Sequence, residues 1–245
     1  MNKHYPYDKH VNYIKSNELN KVINFQKINK TNENAPIPPD LDDLVCLHKI
    51  IRKRKCRTIL EFGVGYSTII MADALKKNNE DWDKLTDRPL ARNRFMFQIF
   101  SVDASRKWIE YTEKQIPDYL LQRVHFHYST VQVGNFNGQL CHYYVNLPDI
   151  VPDFIYIDGP DPKDVKGDIN GLSFKCDERT VMAADILLME PALLPGAFIL
   201  VDGRQNNARF LERNLSRNFR IECDKESDVT SFELIEEPLG KLNML

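Results

Sequence analysis

Two hydrophobic patterns alternate along most of this chain. Short apolar runs with the length of buried β-strands are separated by stretches in which apolar residues recur every three or four positions. The first pattern predicts strands and the second predicts amphipathic helices. Strands are predicted at 57–63, 95–103, 123–128, 153–158 and 196–202, and helices at 67–78, 105–116, 179–191 and 205–217. The alternation predicts an α/β fold, with a mostly parallel sheet and helices on both faces.

The end of the chain follows a different pattern. Two strand-like segments, 219–223 and 231–235, are joined by a polar linker at 224–228. A linker this short cannot hold the crossover helix that parallel strands need. The sequence therefore predicts a C-terminal antiparallel hairpin.

The first part of the chain is predicted to be an arm, 1–39, that precedes a single main domain, 40–245. The arm is rich in Asn and Lys, and three prolines within 35–39 exclude a helix there. A weak helical stripe inside the arm fits packing on the main domain, a lid, or a contact in a homodimer. The stripe consists of Val11, Ile14, Leu19, Val22 and Ile23. Asp40 is predicted to cap the first helix of the main domain.

Composition narrows the class of protein. The 245 residues are 42% hydrophobic, which suffices for one core, and the formal net charge of −2 provides no global attraction to nucleic acid or to an anionic membrane. The five cysteines are odd in number and lack C-x-x-C spacing, so they indicate neither a disulfide framework nor a structural zinc site. No segment resembles a signal peptide or a membrane span. We expect a cytoplasmic protein without nucleic-acid or membrane partners.

A glycine-spaced turn follows the first predicted strand. Glu61 ends the apolar run, Gly63 and Gly65 lie in the turn, and Ser67 or Thr68 can cap the next helix. Glycines at these positions let a ligand approach the main chain closely, as a nucleoside-like ligand requires. A dinucleotide-binding fingerprint would have a third glycine where this chain has Thr68.

The string from Glu61 to Thr68, Glu-Phe-Gly-Val-Gly-Tyr-Ser-Thr, resembles the first motif of class I S-adenosylmethionine-dependent methyltransferases. It is most similar to the small-molecule branch around catechol O-methyltransferase, which ends in a similar Gly-Tyr-Ser. The resemblance extends over about 40–238. It implies a Rossmann-like methyltransferase fold with an antiparallel last strand, S-adenosylmethionine as cofactor, and methyl transfer to an oxygen, or alternatively a nitrogen, of a small molecule.

Ligands of open parallel sheets bind at the carboxyl ends of the strands. The resemblance places Asp103, after the second strand, at the ribose hydroxyls, and Thr130, after the third, near the adenine. Two plainer roles stay open, in which Asp103 caps helix 105–116 and Thr130 lies in an ordinary turn. The cofactor-binding residues that the resemblance implies are Glu61, Gly63, Gly65, Tyr66, Ser67, Asp103, Ala104, Thr130 and Asp158.

The fourth and fifth strands end in Asp158 and Asp202, and Arg204 follows closely. These three residues are the predicted catalytic residues: the resemblance implies a role for the two acids, and the charge of Arg204 adds it to them. In the catechol branch, acids at the two strand ends and an Asn after the second bind a divalent cation, but here Gly203 replaces that Asn. The metal site is therefore left open, because Arg204 could instead neutralise the acids or hold an anionic substrate. A turn-capping role for both acids is the plainer alternative.

The sequence also predicts the roles of two loops, and it leaves two alternative functions open. The segment 78–93 is predicted to be a charged insertion, and 160–178 to be a lid over the acceptor. A nicotinamide oxidoreductase is the alternative enzyme, which Thr68 and the terminal hairpin disfavour. A methyltransferase-like protein that binds the nucleoside without catalysis is the other alternative.

Overall fold

The computed structural model describes residues 7–23, 40–176 and 178–240. The proline-rich connector predicted at 35–39 lies outside these residues. The strands are β1 (Thr58–Phe62), β2 (Gln98–Asp103), β3 (Val124–Tyr128), β4 (Val131–Phe136), β5 (Gln139–Tyr144), β6 (Phe154–Ile157), β7 (Val165–Lys166), β8 (Phe198–Asp202), β9 (Phe219–Asp224) and β10 (Val229–Leu234). The helices are α1 (Tyr7–Ser16), α2 (Leu19–Val22), α3 (Leu41–Arg54), α4 (Tyr66–Asp83), α5 (Arg106–Glu113), α6 (Asp118–Leu121), α7 (Asp185–Met189) and α8 (Gln205–Asn214).

Seven strands form one sheet in the order β3-β2-β1-β6-β8-β10-β9. Its first five strands pair in parallel, and β10 pairs antiparallel with both β8 and β9. The predicted α/β fold and the predicted C-terminal hairpin are thus confirmed. The antiparallel strand lies inside the sheet, between β8 and β9, as the resemblance to class I methyltransferases implies.

Alternating strand residues build a core on each face of the sheet. Ile59 and Phe154 belong to the core on the face covered by α3 and α4. Leu60 and Ile155, one residue further along the same strands, belong to the core on the face covered by α7 and α8. Because neighbouring side chains of a strand point to opposite faces, a strand buried on both faces is apolar throughout. This is why β6 reads as a continuous apolar run, and why β1 is apolar apart from Thr58 and Glu61, which are also buried.

A second, three-stranded sheet in the order β5-β4-β7 was not predicted. Strands β4 and β5 form a hairpin whose turn residues, Asn137 and Gly138, both have positive φ. An Asn-Gly pair is a strong hairpin signal, so the sequence did contain this information. The parallel pairing of Val131 with Val165 anchors part of the segment 160–178, which was predicted to be a lid.

Two predicted boundaries are wrong because distant contacts decide them. Helix α4 continues through the first six residues of the predicted insertion, where the buried Asn78 side chain donates to the carbonyls of Ile51 and Cys56 at 3.1 and 2.8 Å. The predicted helix 179–191 shortens to α7 and a 3-10 turn, Glu190–Ala192. Its first residues run beside β5 instead, since the Ala184 amide donates to the His142 carbonyl at 3.0 Å.

The described part of the arm packs on the main domain. Ile14 and Leu19 are fully buried in the core that contains α3 and α4. The Tyr13 hydroxyl also lies 2.7 Å from Nδ1 of His48 on α3. The packing interpretation of the arm's apolar stripe is therefore confirmed for these residues. No helix among the described residues combines the length and the apolar character that crossing a membrane requires.

Candidate active site

The loops after the central strands are joined at the carboxyl edge of the sheet by main-chain hydrogen bonds. The Gly63 amide donates to the Val102 carbonyl at 2.9 Å, and the Asp158 amide donates to the Phe62 carbonyl at 3.0 Å. These bonds bring the ends of β1, β2 and β6 into direct contact. The carboxyl edge is therefore the place where the predicted site residues can meet.

The glycine turn is packed tightly on one side and open on the other. Gly63 has φ +105°, a conformation that residues with a Cβ rarely adopt. A Cβ added to Gly159, in the loop after β6, would lie 2.7 Å from the Gly63 nitrogen. A Cβ added to Gly65 would meet no atom within 4 Å. Gly65 thus presents bare main chain to open space, as a ligand cradle requires.

Glu61 organises this turn from below. Its carboxylate is buried and accepts hydrogen bonds from the hydroxyls of Ser67, Thr68 and Ser101 at 2.5, 2.6 and 2.6 Å. The Thr68 hydroxyl also accepts the Gly65 amide at 3.1 Å. Burial raises the pKa of Glu61 to about 7, against the opposing effect of the hydroxyl bonds. The hydrogen bond between Glu61 and Ser67 therefore helps to fix the shape of the turn. Ser101, which the sequence did not point to, also binds the Glu61 carboxylate.

Asp103 connects the first two loops. Burial raises the pKa of its carboxyl to about 6, while hydrogen bonds from the amides of Ser105, Val64 and Ala104 oppose that rise. The Ser105 amide lies 2.6 Å from Asp103 Oδ1. The cap of α5 is Ser105, whose hydroxyl accepts the Trp108 amide at 3.3 Å. The alternative role of Asp103, as the cap of that helix, is therefore wrong.

The remaining predicted cofactor residues lie around this centre. Tyr66 and Gly65 line a shallow cleft together with Tyr111 and Gln115 of the α5 region, which the sequence did not indicate. The turn that contains Thr130 lies beside Asp103, because the adjacent Ser129 amide donates to the Asp103 carbonyl at 3.0 Å. Ala104 is partly buried against the core.

Three carboxyl groups converge on one side of the turn. The Asp158 side chain is more than half exposed, and partial loss of solvent together with the charge of Asp202 raises its pKa to about 6. Burial raises the pKa of Asp202. Asp43, in the first turn of α3, has a pKa raised to about 7 by burial and by the charge of Asp202. The sequence did not point to Asp43, because acidic residues are ordinary in the first turn of a helix, where they complement its dipole. Only the packing of α3 brings it to the site.

Arg204 contacts the loop after β6 rather than bridging the two strand-end acids. Its guanidinium donates to the carbonyls of Asp158 and Pro160 at 2.5 and 3.1 Å, and lies 3.8 Å from the Asp158 carboxylate. The Asp202 carboxylate accepts a short hydrogen bond from the Tyr156 hydroxyl. Each acid therefore has a partner of its own.

The donor set at this edge does not fit a divalent cation. The Asp158 carboxylate pairs with Arg204, the Asp202 carboxylate is bonded to Tyr156, and Gly203 has no side-chain oxygen. A cation of the magnesium or calcium type needs several oxygen ligands. Within 7–23, 40–176 and 178–240, no three His, Cys, Asp or Glu side chains form a group suited to a metal ion.

Two further polar patterns in the sequence make structural contacts: the alternating His125 and His127, and the basic run at 52–55. His125 stacks on Phe100 and lies 2.7 Å from the Gln98 side chain at the edge of the sheet. The basic run at the end of α3 is engaged in tertiary contacts: Arg54, for example, forms an ion pair with Glu233 at 2.9 Å. Neither pattern contributes to the carboxyl-edge site.

Comparisons with known proteins give structural likeness only. No protein-family model matches the chain, and no curated protein sequence matches it. Among solved structures it is similar to the O-methyltransferase TomG of Streptomyces achromogenes, involved in tomaymycin synthesis and crystallised with S-adenosylmethionine: 16% identity, 97% of this chain, 100% of that chain, TM-score 0.49. It is similar to a Bacillus cereus O-methyltransferase and a Podospora anserina methyltransferase, both bound to S-adenosylhomocysteine. The Bacillus cereus protein shows 15% identity over 94% of this chain and 93% of that chain, with a TM-score of 0.43. The Podospora anserina protein shows 15% identity over 96% of this chain and 97% of that chain, with a TM-score of 0.48. At these identities and scores the likeness assigns no function to this chain.

Proposed function

We propose that the protein binds S-adenosylmethionine at the carboxyl edge of the sheet and transfers its methyl group to an oxygen of a small molecule. The observation that carries the proposal is a group of carboxyls with raised pKa values near a glycine turn that is open on one side. Asp158 and Asp43 have pKa values raised to about 6 and about 7, chiefly by loss of solvent. Where loss of solvent raises the pKa of a carboxyl group, added positive charge stabilises its ionised form.

S-adenosylmethionine has positive charges that would stabilise these carboxylates in their ionised form. It carries a sulfonium and an ammonium group, and attraction between opposite charges is strengthened where water is partly excluded. Asp103 would accept the two ribose hydroxyls, because a carboxylate has acceptor sites for both. The bare main chain at Gly65 would let the ligand lie directly on the turn. These residues fit the cofactor, whereas they do not fit a divalent metal.

When bound, S-adenosylmethionine supplies an electrophilic methyl group. The chain's own contribution is to align the acceptor oxygen with that group and to take its proton. Alignment of this kind contributes on the order of 7 to 11 kcal/mol. Asp158, with a pKa of about 6, is largely ionised at neutral pH and is the candidate base. Arg204 holds the loop that carries Asp158 through the two carbonyl contacts, and so acts as a positioning residue.

We place this activity in the cytoplasm and on a small molecule. The five cysteines are odd in number and scattered without C-x-x-C spacing, a pattern that fits a reducing compartment. A nitrogen acceptor is the lesser alternative, since a general base serves both kinds of nucleophile. The nicotinamide alternative is disfavoured by Thr68, whose side chain is committed to Glu61, and by the antiparallel β10 inside the sheet.

Calorimetry with S-adenosylhomocysteine and NAD tests the cofactor, and transfer of a labelled methyl group to a panel of hydroxylated and aminated small molecules tests the reaction. We expect S-adenosylhomocysteine to bind and NAD to bind at least tenfold more weakly. Preferential NAD binding would refute the proposal. Cofactor binding without transfer to any acceptor would instead favour the non-catalytic, nucleoside-binding alternative.

A further inference from the structure

A cleft of about 340 Å³ lies beside α8, away from the glycine turn. Its described lining includes three arginines, Arg179, Arg209 and Arg213, with Asn206 as a further polar group. Phe210 contributes an apolar surface. The cleft falls in the size range of small-molecule sites. Nothing in the proposed methyl transfer uses it.

The α8 side of the cleft has an unusual composition. Asn206, Arg209, Phe210 and Arg213 follow one another at intervals of three, one and three residues, so they share one face of the helix. Phe210 is buried and forms the base of this face, while both arginines are exposed. Two like charges one turn apart repel each other, so this face gains from an anion placed between them.

The third arginine is held in place from the opposite side. The Arg179 guanidinium donates a short hydrogen bond to the Ser173 carbonyl, which orients it at the cleft. Among the described residues, no carboxylate lies within ion-pair distance of Arg179, Arg209 or Arg213. The one acid in the described lining, Glu178, accepts a hydrogen bond from the Cys176 thiol at 2.8 Å.

The cleft is therefore a local positive site in a protein whose formal net charge is −2. Three guanidiniums and one carboxylate line it within the described part of the chain. Guanidinium groups bind phosphate and carboxylate oxygens in pairs, through two parallel N–H bonds. The partly exposed Met182, with Phe210 buried beneath the cleft, offers an apolar contact next to these donors, suited to the organic part of a ligand.

We propose that this cleft binds the anionic group, a phosphate or a carboxylate, of a small organic ligand. The site is separate from the carboxyl edge. None of its described lining residues belongs to the glycine turn or is a strand-end acid, and Arg209 and Arg213 lie about 7.5 and 13.5 Å beyond Arg204 along the helix axis at a rise of 1.5 Å per residue. The inference does not depend on methyl transfer.

Calorimetry at constant ionic strength tests the site with inorganic phosphate and with citrate, and sodium chloride is the reference salt. The variants are Arg209→Gln with Arg213→Gln, and Arg92→Gln as the matched control at an exposed arginine outside the cleft. We expect at least one probe to bind the wild type and the Arg92 variant alike, and at least tenfold more weakly in the double variant. The stronger probe identifies the preferred anion chemistry.

S-adenosylhomocysteine titration of the same variants serves as the folding control, because its proposed site does not include the cleft. We expect its affinity to be unchanged by the double substitution. Equal binding of both probes by all three proteins, or a response that chloride reproduces at the same ionic strength, would overturn the proposal. Failure of the cofactor titration in every protein would contradict the proposed function and leave the phosphate and citrate results to decide the cleft.

Discussion

At the scale of single residues, burial decides the chemistry of the acids at the carboxyl edge. Glu61 and Asp103 have pKa values raised from their ordinary range chiefly because burial disfavours the charged form. The pKa of Asp158, whose side chain is more than half exposed, is raised by partial loss of solvent and by the charge of Asp202. Their partners differ, however. Glu61 is enclosed by hydroxyls of the chain, whereas Asp103 accepts main-chain amides of the loops and the Asp158 side chain is more than half exposed beside Arg204. The first is suited to hold the turn, and the other two are suited to meet a ligand.

Asp103→Asn should weaken S-adenosylhomocysteine binding by about 1.5 to 3 kcal/mol, the range for hydrogen bonds to a charged group. The amide keeps the size of the side chain but loses one acceptor oxygen and the charge. Calorimetry measures the change, and Asp118→Asn, at an exposed position on α6, is the matched control. Unchanged affinity in the Asp103 variant would remove this residue from the cofactor site.

Binding of S-adenosylmethionine should weaken as the pH falls through about 6. Asp103 and Asp158 are ionised above that pH and become protonated below it, since both pKa values are about 6. A carboxylate that must be ionised in the complex costs about tenfold in affinity at one pH unit below its free pKa. Titrations at pH 7.5 and pH 5 test this, and Asp103→Asn should reduce the difference. A pH-independent affinity would show that neither acid meets the ligand in its charged form.

Methyl transfer, once an acceptor is found, should survive chelation with EDTA. The two strand-end acids have partners in Arg204 and Tyr156, and Gly203 adds no oxygen ligand. Arg204→Ala should lower kcat, because the Asp158 loop loses its two guanidinium contacts. Arg106→Ala, at an exposed position, is the control. Complete loss of activity with EDTA, restored by magnesium, would show that a metal serves the site after all.

At the scale of elements, the turn after β1 and the loop after β6 depend on each other. The two loops approach so closely that a side chain at Gly159 would collide with the Gly63 main chain, whereas the outer side of Gly65 is open. Tight packing on one side holds the cradle rigid for a ligand on the other. The two glycines therefore serve stability and binding separately.

Substitutions at these two glycines should separate those effects. Gly159→Ala should lower the free energy of unfolding by about 1 to 3 kcal/mol, the usual cost of overpacking. Gly65→Ala should leave stability within about 0.5 kcal/mol of the wild type, because its Cβ meets no neighbour and its φ of 170° is open to any residue. Its methyl group should nevertheless reduce S-adenosylhomocysteine affinity at least tenfold. Urea denaturation and calorimetry measure the two quantities, and normal binding by Gly65→Ala would place the ligand elsewhere.

At the scale of the whole molecule, the described part of the arm and the main domain share one core. Leu19 and Ile14 are buried with residues of α3 and α4, so the described arm helices contribute to stability as part of the domain. The charge distribution is also divided. Acids lie together at the carboxyl edge of the sheet, and arginines lie together at the cleft beside α8. The first region is therefore suited to a cationic ligand and the second to an anionic one.

Leu19→Ala should lower the free energy of unfolding by about 2 to 5 kcal/mol, as expected for a buried leucine. Asn20→Ala, at the exposed neighbouring position, should change it little. Urea denaturation at several protein concentrations makes the measurement. A small effect of Leu19→Ala would contradict packing of the arm on the domain. An effect that depends on protein concentration would favour the homodimer contact instead.

The sequence determined which segments form the strands and which polar residues end those strands. Apolar runs located the five parallel strands and the last hairpin, because burial on both faces of a sheet leaves a local signature. The residues that end those strands, such as Asp103, Asp158 and Asp202, must then meet at one edge, so they could be named from local pattern and resemblance. Gly63 and Gly65 could be named for the same reason.

Tertiary structure decided everything that depends on contacts between distant segments. Asp43 reaches the site only because α3 packs across the sheet, and Gly159 is constrained only because its loop meets Gly63. The first residues of the predicted helix 179–191 became an extended segment because β5 offers them a partner. The arginine cleft joins residues of α8 with Arg179 from another segment. Local pattern records whether a side chain is buried, but not which distant residue it is buried against.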